Sequence, residues 1–88
     1  MSTKKVDLIT AEQCRAARAL VDMTQSELAS RAQLGLSTIV DFEKRRRQVS
    51  ADAIRAMRLA LESSGVLFIQ ENGAGAGVRL AKQGSRSK

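Results

Sequence analysis

Apolar residues recur at intervals of three and four along most of this chain. Cys14, Ala17, Leu20 and Val21 form one stripe, and Leu28, Ala29 and Ala32 a second. Ile39 with Phe42 forms a third, and Ile54, Met57 and Leu61 a fourth. That spacing places each set on one face of an α-helix. The helix starts carry a repeated signature. Thr10 with Gln13, and Thr24 with Glu27, have the capping-box spacing, in which each residue's side chain satisfies the other's backbone N–H. Ser50 is a third cap, with Asp52 complementing the helix dipole in the first turn, and Gly35 is a weaker fourth. An apolar residue precedes each cap and another follows in the first turn and a half: Ile9 with Cys14, Met23 with Leu28, Leu34 with Ile39, Val49 with Ile54. These signals predict helices over about 11–22, 25–32, 36–44 and 51–64, whose apolar faces close one small core.

The period changes after Gly65. Val66-Leu67-Phe68-Ile69-Gln70 is short and rich in strand formers, residues 71–77 are glycine-rich and contain Asn72-Gly73, and Val78-Arg79-Leu80 returns as a second strand. A hairpin at 65–81 is expected. It has apolar side chains on both faces, Val66 and Phe68 on one, Leu67 and Ile69 on the other. One face covers the helical core, and the other calls for a further partner, because an isolated two-stranded hairpin is marginal in water.

Length and composition narrow the function. Eighty-eight residues suit one domain with a modest core. Fifteen Lys and Arg against nine Asp and Glu leave a net charge of +6, which points to a polyanionic partner or to a basic surface kept for solubility. There is no Trp or Tyr, and Phe42 and Phe68 are the two aromatics, so a base-stacking platform for single strands is not expected. With no His and a lone Cys14, neither a metal site nor a nucleophile–base pair can be assembled, and no cofactor or enzymatic activity is expected. Cys14, on an apolar helix face, reads as a small buried hydrophobe. A single Cys without a signal peptide fits a reducing, cytoplasmic setting. No apolar run reaches membrane-spanning length. The ends read as a flexible basic arm, 1–9, and a disordered basic tail, 82–88.

Residues 10–62 resemble the Cro/repressor-type, lambda repressor-like helix-turn-helix domain of the XRE family. The matching positions are Arg18, Thr24-Gln25, Glu27-Leu28-Ala29, Ala32, Leu34, Ser37-Thr38-Ile39 and Phe42-Glu43. The tail, from Gly65 through Asn72-Gly73 to Leu80, looks like the C-terminal hairpin of small alphaproteobacterial regulators of this kind. The resemblance implies a mainly α fold: a four-helix helix-turn-helix domain over 10–64 and a short C-terminal β-hairpin over 65–81.

It also implies roles. The third helix enters the major groove, where Leu36, Ser37, Val40 and Asp41 are the base-reading candidates. Leu36 and Val40 suit a thymine methyl and Ser37 several bases. Asp41 either accepts from a cytosine amino group or is held by neighbouring arginines, and both readings stay open. Gln25, Thr38, Lys44, Arg45, Arg46 and Arg47 are phosphate-binding candidates. Arg18 and Glu43 match a structural ion pair bridging helices one and three. Val66, Leu67, Phe68, Ile69, Val78 and Leu80 are the expected dimer interface.

Three departures from the family pattern stand out. Gln33 occupies a turn position that is often Gly, so a left-handed backbone is expected there. Gly35 replaces a Ser or Thr cap. Bidentate base readers (Gln, Asn, Arg) are missing from the exposed face of helix three, which shifts the expected specificity toward apolar contacts, DNA shape or the basic ends. Together these features lead to the expectation of a sequence-specific regulator of double-stranded DNA, a repressor binding a two-fold operator as a homodimer. With no effector domain after the DNA-binding unit, no small-molecule ligand is expected. The alternative is an interaction module, an antitoxin or antiactivator, whose hairpin grips a partner protein.

Overall fold

The computed structural model describes residues 8–81. Four helices, α1 (Ala11–Leu20), α2 (Gln25–Ala32), α3 (Leu36–Lys44) and α4 (Ala51–Ser63), are followed by strands β1 (Val66–Ile69) and β2 (Gly77–Leu80). The strands pair antiparallel, with Val66 opposite Leu80 and Ile69 opposite Gly77. This is the mainly helical helix-turn-helix architecture with a C-terminal hairpin that the sequence predicts. The basic tail 82–88 and all but the last two residues of the arm 1–9 lie outside the described residues.

Local chemistry explains where each helix begins. The Thr10 hydroxyl accepts from the Gln13 backbone N–H at 3.0 Å while the Gln13 side-chain oxygen Oε1 accepts from the Thr10 N–H at 2.9 Å. Thr24 and Glu27 repeat the arrangement at 3.0 and 2.8 Å. Ser50 accepts from the Ala53 N–H, and Gly35 starts α3 without a side-chain cap.

The first three helices end in the same way. Asp22, Gln33 and Arg45 have positive φ of 54°, 59° and 55°. After each, the next N–H reaches back to a carbonyl five residues earlier: Met23 to Arg18, Leu34 to Ala29, and Arg46 to Asp41, all at 2.9 Å. These are Schellman closures built without glycine. The first two turn the chain within four and three residues and drop Met23 and Leu34 onto the core.

Ile9, Cys14, Ala17, Met23, Leu28, Ala29, Ile39, Val49, Met57, Leu61 and Val66 form the buried cluster, with Phe42, Ile54, Phe68 and Val78 packed against it. Two expectations are corrected. Ile9, read as the end of a flexible arm, is 4% exposed because it packs beneath the α1 cap. Leu20, counted in the α1 stripe, is exposed; the helix ends there, and the turn at Asp22 brings Met23 into the core instead.

The hairpin packs on α1 and α4. Gln13 fixes it. Its amide nitrogen donates to the carbonyls of Ile69 and Gly77, at 3.2 and 3.0 Å. The residue that completes the α1 capping box therefore also holds the loop end of the hairpin. Across the sheet, the Arg58 guanidinium stands 5.7 Å from the Phe68 ring centroid. No helix among the described residues is long and apolar enough to cross a membrane.

Candidate nucleic-acid interface

Three residues, Gln33 to Gly35, separate α2 from α3. The Gln33 and Leu34 N–H groups cap the end of α2, so the turn is closed by its own backbone. From it α3 leaves with Ile39 and Glu43 buried and Phe42 packed inward. Leu36 and Ser37 are exposed, and Val40 and Asp41 are half-buried. At helical spacing these four share the face opposite Ile39 and Phe42.

Behind that face lies a polar hub. Glu43 is 3% exposed, yet each carboxylate oxygen has two donors. Oε1 accepts from Arg18 Nη2 at 2.6 Å and from Gln25 Nε2 at 3.0 Å. Oε2 accepts from Arg18 Nε at 2.8 Å and from Cys14 Sγ at 3.1 Å. Arg15 Nη1 donates to the Glu43 carbonyl at 2.7 Å, and Arg18 Nη1 to the Met23 carbonyl at 3.1 Å. The hub locks α1, α2 and α3 together and fixes how α3 projects. Burial pushes the Glu43 carboxyl up, but the hydrogen bonds from Arg18, Cys14 and Gln25 outweigh it and hold the group below the usual carboxylate range. Burial, then the bond to Glu43, pushes the Cys14 thiol far up, so it stays protonated and inert.

The predicted phosphate-binding residues surround this face in unequal states. The Gln25 side chain is held by Glu43, which leaves the second amide hydrogen and the backbone N–H at the α2 N-terminus as the donors of this predicted phosphate site. Thr38 is half-buried near the start of α3, and Lys44 is exposed at its end. Arg45 is tied to Glu12 of α1 in an exposed pair. Arg46 Nη1 lies 3.9 Å from Asp41 Oδ1, and Arg47 Nε donates to Asp41 Oδ2 at 2.8 Å. Of the two readings left open for Asp41, the structure shows the carboxylate held by neighbouring arginines. Arg15 was not singled out from the sequence; it lines a shallow groove with Thr24, Gln25 and Lys44 at the start of α2. Its only sequence signal is its place one helical turn before Arg18.

The predicted dimer residues do not form one free face. Val66 is 3% exposed, and Phe68 and Val78 are half-buried with one side against the core. Ile69 is half-buried, and Leu67 and Leu80 are exposed at 46% and 52%.

A helix-turn-helix family model (HTH_3) matches residues 15–68, more than half of the chain, running from α1 into β1. A search of curated proteins found no match.

Proposed function

The chain belongs to the helix-turn-helix family HTH_3, whose domain is a DNA-binding regulatory one, and from that premise we propose that it is a repressor binding a two-fold operator as a homodimer. The carrying observation is the tight α2–α3 turn, which presents Leu36 and Ser37 on a rigidly held α3. In this reading α3 lies in the major groove. Leu36, Ser37 and Val40 meet base edges, while Thr38, Lys44, Arg46, Arg15 and the α2 N-terminus hold phosphates on either side. One such unit spans few base pairs, so two copies one helical turn apart supply the missing specificity. Occupying a promoter is enough to repress it.

The dimer contact falls to the open end of the hairpin, where Leu67 and Leu80 are exposed beside unpaired strand edges. Leu67→Asp and Leu80→Asp test this without touching the core, and each should shift a sedimenting dimer to monomer. A dimer that survives both would move the interface elsewhere. The function is tested by titrating duplexes from upstream of the protein's own gene, and random duplexes of equal length, at two salt concentrations. Tight, symmetric protection of one duplex supports the operator reading. Equal, salt-sensitive binding to both would reduce the protein to a non-specific polycation.

A further inference from the structure

We propose that Arg47 reads a guanine in each half-site and that Asp41 is the positioning residue that aims it. The inference rests on α3 lying in the major groove. It begins from a gap: none of Leu36, Ser37, Val40 and Asp41 can make the two-pronged contact with which proteins most often recognise guanine, through its O6 and N7 acceptors.

The chain supplies that contact from outside the helix. Arg45 takes a left-handed conformation, φ 55°, the Arg46 N–H closes on the Asp41 carbonyl at 2.9 Å, and the Arg45 N–H on Phe42 at 3.2 Å. This reversal folds the backbone over the end of α3 and returns Arg47 beside Asp41, the α3 residue one turn after Ser37, where it also borders a groove lined by Thr10, Phe42 and Ile54.

The bond between the two is one-sided in a useful way. Asp41 Oδ2 takes the Arg47 Nε–H at 2.8 Å, and among the described residues Nη1 and Nη2 have no partner. A guanidinium held at Nε presents its two terminal N–H groups as a fixed fork. The Arg47 side chain is 51% exposed and that of Asp41 only 21%, so the carboxylate lies beneath and the fork outward.

Two other roles fit less well. A cytosine amino group would have to reach Asp41 past Arg46 and Arg47. A phosphate gains little from a guanidinium already neutralised by a carboxylate, since backbone affinity depends on net positive charge and counterion release. Orientation is what such a pairing adds, and orientation serves base reading. Arg45 makes a comparable pair, but with Glu12 on α1, away from the α3 face.

The test is selection of binding sites from randomised duplexes by the full-length protein, its Arg47→Ala, Arg47→Lys and Asp41→Ala variants, followed by titration of the selected site at several salt concentrations. The wild type should require guanine at one position per half-site. Arg47→Ala and Asp41→Ala should each erode that preference, by about ten-fold or more for the first, at the same position and with the rest of the motif intact. Arg47→Lys, which keeps the charge without the fork, should fail to restore it. Uniform weakening of all sequences by Arg47→Ala, with the salt slope reduced by about 0.9, would make Arg47 a phosphate contact and overturn the assignment. A base change at a different position in Asp41→Ala would make Asp41 a reader in its own right. A wild type that selects no motif would overturn the regulator reading itself, and this inference with it.

Discussion

The side-chain amide of Gln25, first residue of α2, donates to the buried carboxylate of Glu43, next to last in α3, at 3.0 Å. The two helices of the DNA-binding unit are therefore joined at both ends: by the three-residue turn at one, and by this bond at the other. Arg18 adds a two-pronged contact to the same carboxylate from α1. Glu43→Ala would leave Arg18, Gln25 and Cys14 without their acceptor. Loss of one partner from a buried ion pair costs about 3–5 kcal/mol, a large share of the stability of a small domain. Gln25→Ala should cost less, about 1.5–3 kcal/mol at most for a bond to a charged group. Urea unfolding of both variants checks the order, and equal losses would contradict it.

The same carboxylate sets an acid limit. Glu43 is held below its ordinary value in the folded chain, so folding is favoured by this group wherever the unfolded chain's carboxyl is also ionised, above about pH 4.5. That contribution is lost as pH falls through the lowered folded-state value. Stability should therefore be flat in this respect near neutrality and decline in the acid range. In Glu43→Gln the decline should be shallower, since the group no longer titrates. Denaturant midpoints measured from pH 7 to pH 3 on the two proteins give the comparison; parallel curves would show that Glu43 is not the controlling group.

Gln13 couples the start of α1 to the hairpin through the Ile69 and Gly77 carbonyls. Gln13→Glu keeps an acceptor for the Thr10 N–H but faces both strand carbonyls with negative charge. Hydrogen exchange should then speed up in 66–69 and 77–80 while the amides of α2 and α3 change little. Uniform acceleration across the domain would show instead that the hairpin and the helices open as one unit.

Gln33 carries a left-handed backbone, φ 59°, in the turn between α2 and α3. Glycine removes the steric cost of that conformation, about 1–2 kcal/mol, but loses about 0.5–1 kcal/mol to the greater freedom of the unfolded chain. Gln33→Gly should thus leave stability unchanged or raise it by up to about 1.5 kcal/mol. The urea midpoint should hold or rise, at unchanged slope.

The sequence by itself determined what is decided locally. Thr10, Thr24 and Ser50 start their helices because a cap reaches only three residues along the chain, and the apolar stripes follow from the helical repeat. Val66 to Ile69 declares a strand by its residue types, and the left-handed turn at Gln33 was legible because the resembling family often has glycine there. Asp22 and Arg45 gave no such sign, since their conformation is imposed by the closures around them. Glu43 was legible as a partner for Arg18 only through family resemblance. That it also gathers Cys14 and Gln25 depends on three helices meeting, 18 and 29 residues apart along the chain. Tertiary structure likewise chose between the two apolar faces of the hairpin: the α1–α4 surface takes Val66, Phe68 and Val78 and leaves Leu67 on the outer face, while Leu80, opposite Val66, is exposed at the end of the packed face. It also settled that Asp41 is held by arginines. A charge beside a basic run has several partners in sequence, and only the backbone reversal at Arg45 brings Arg47 to it.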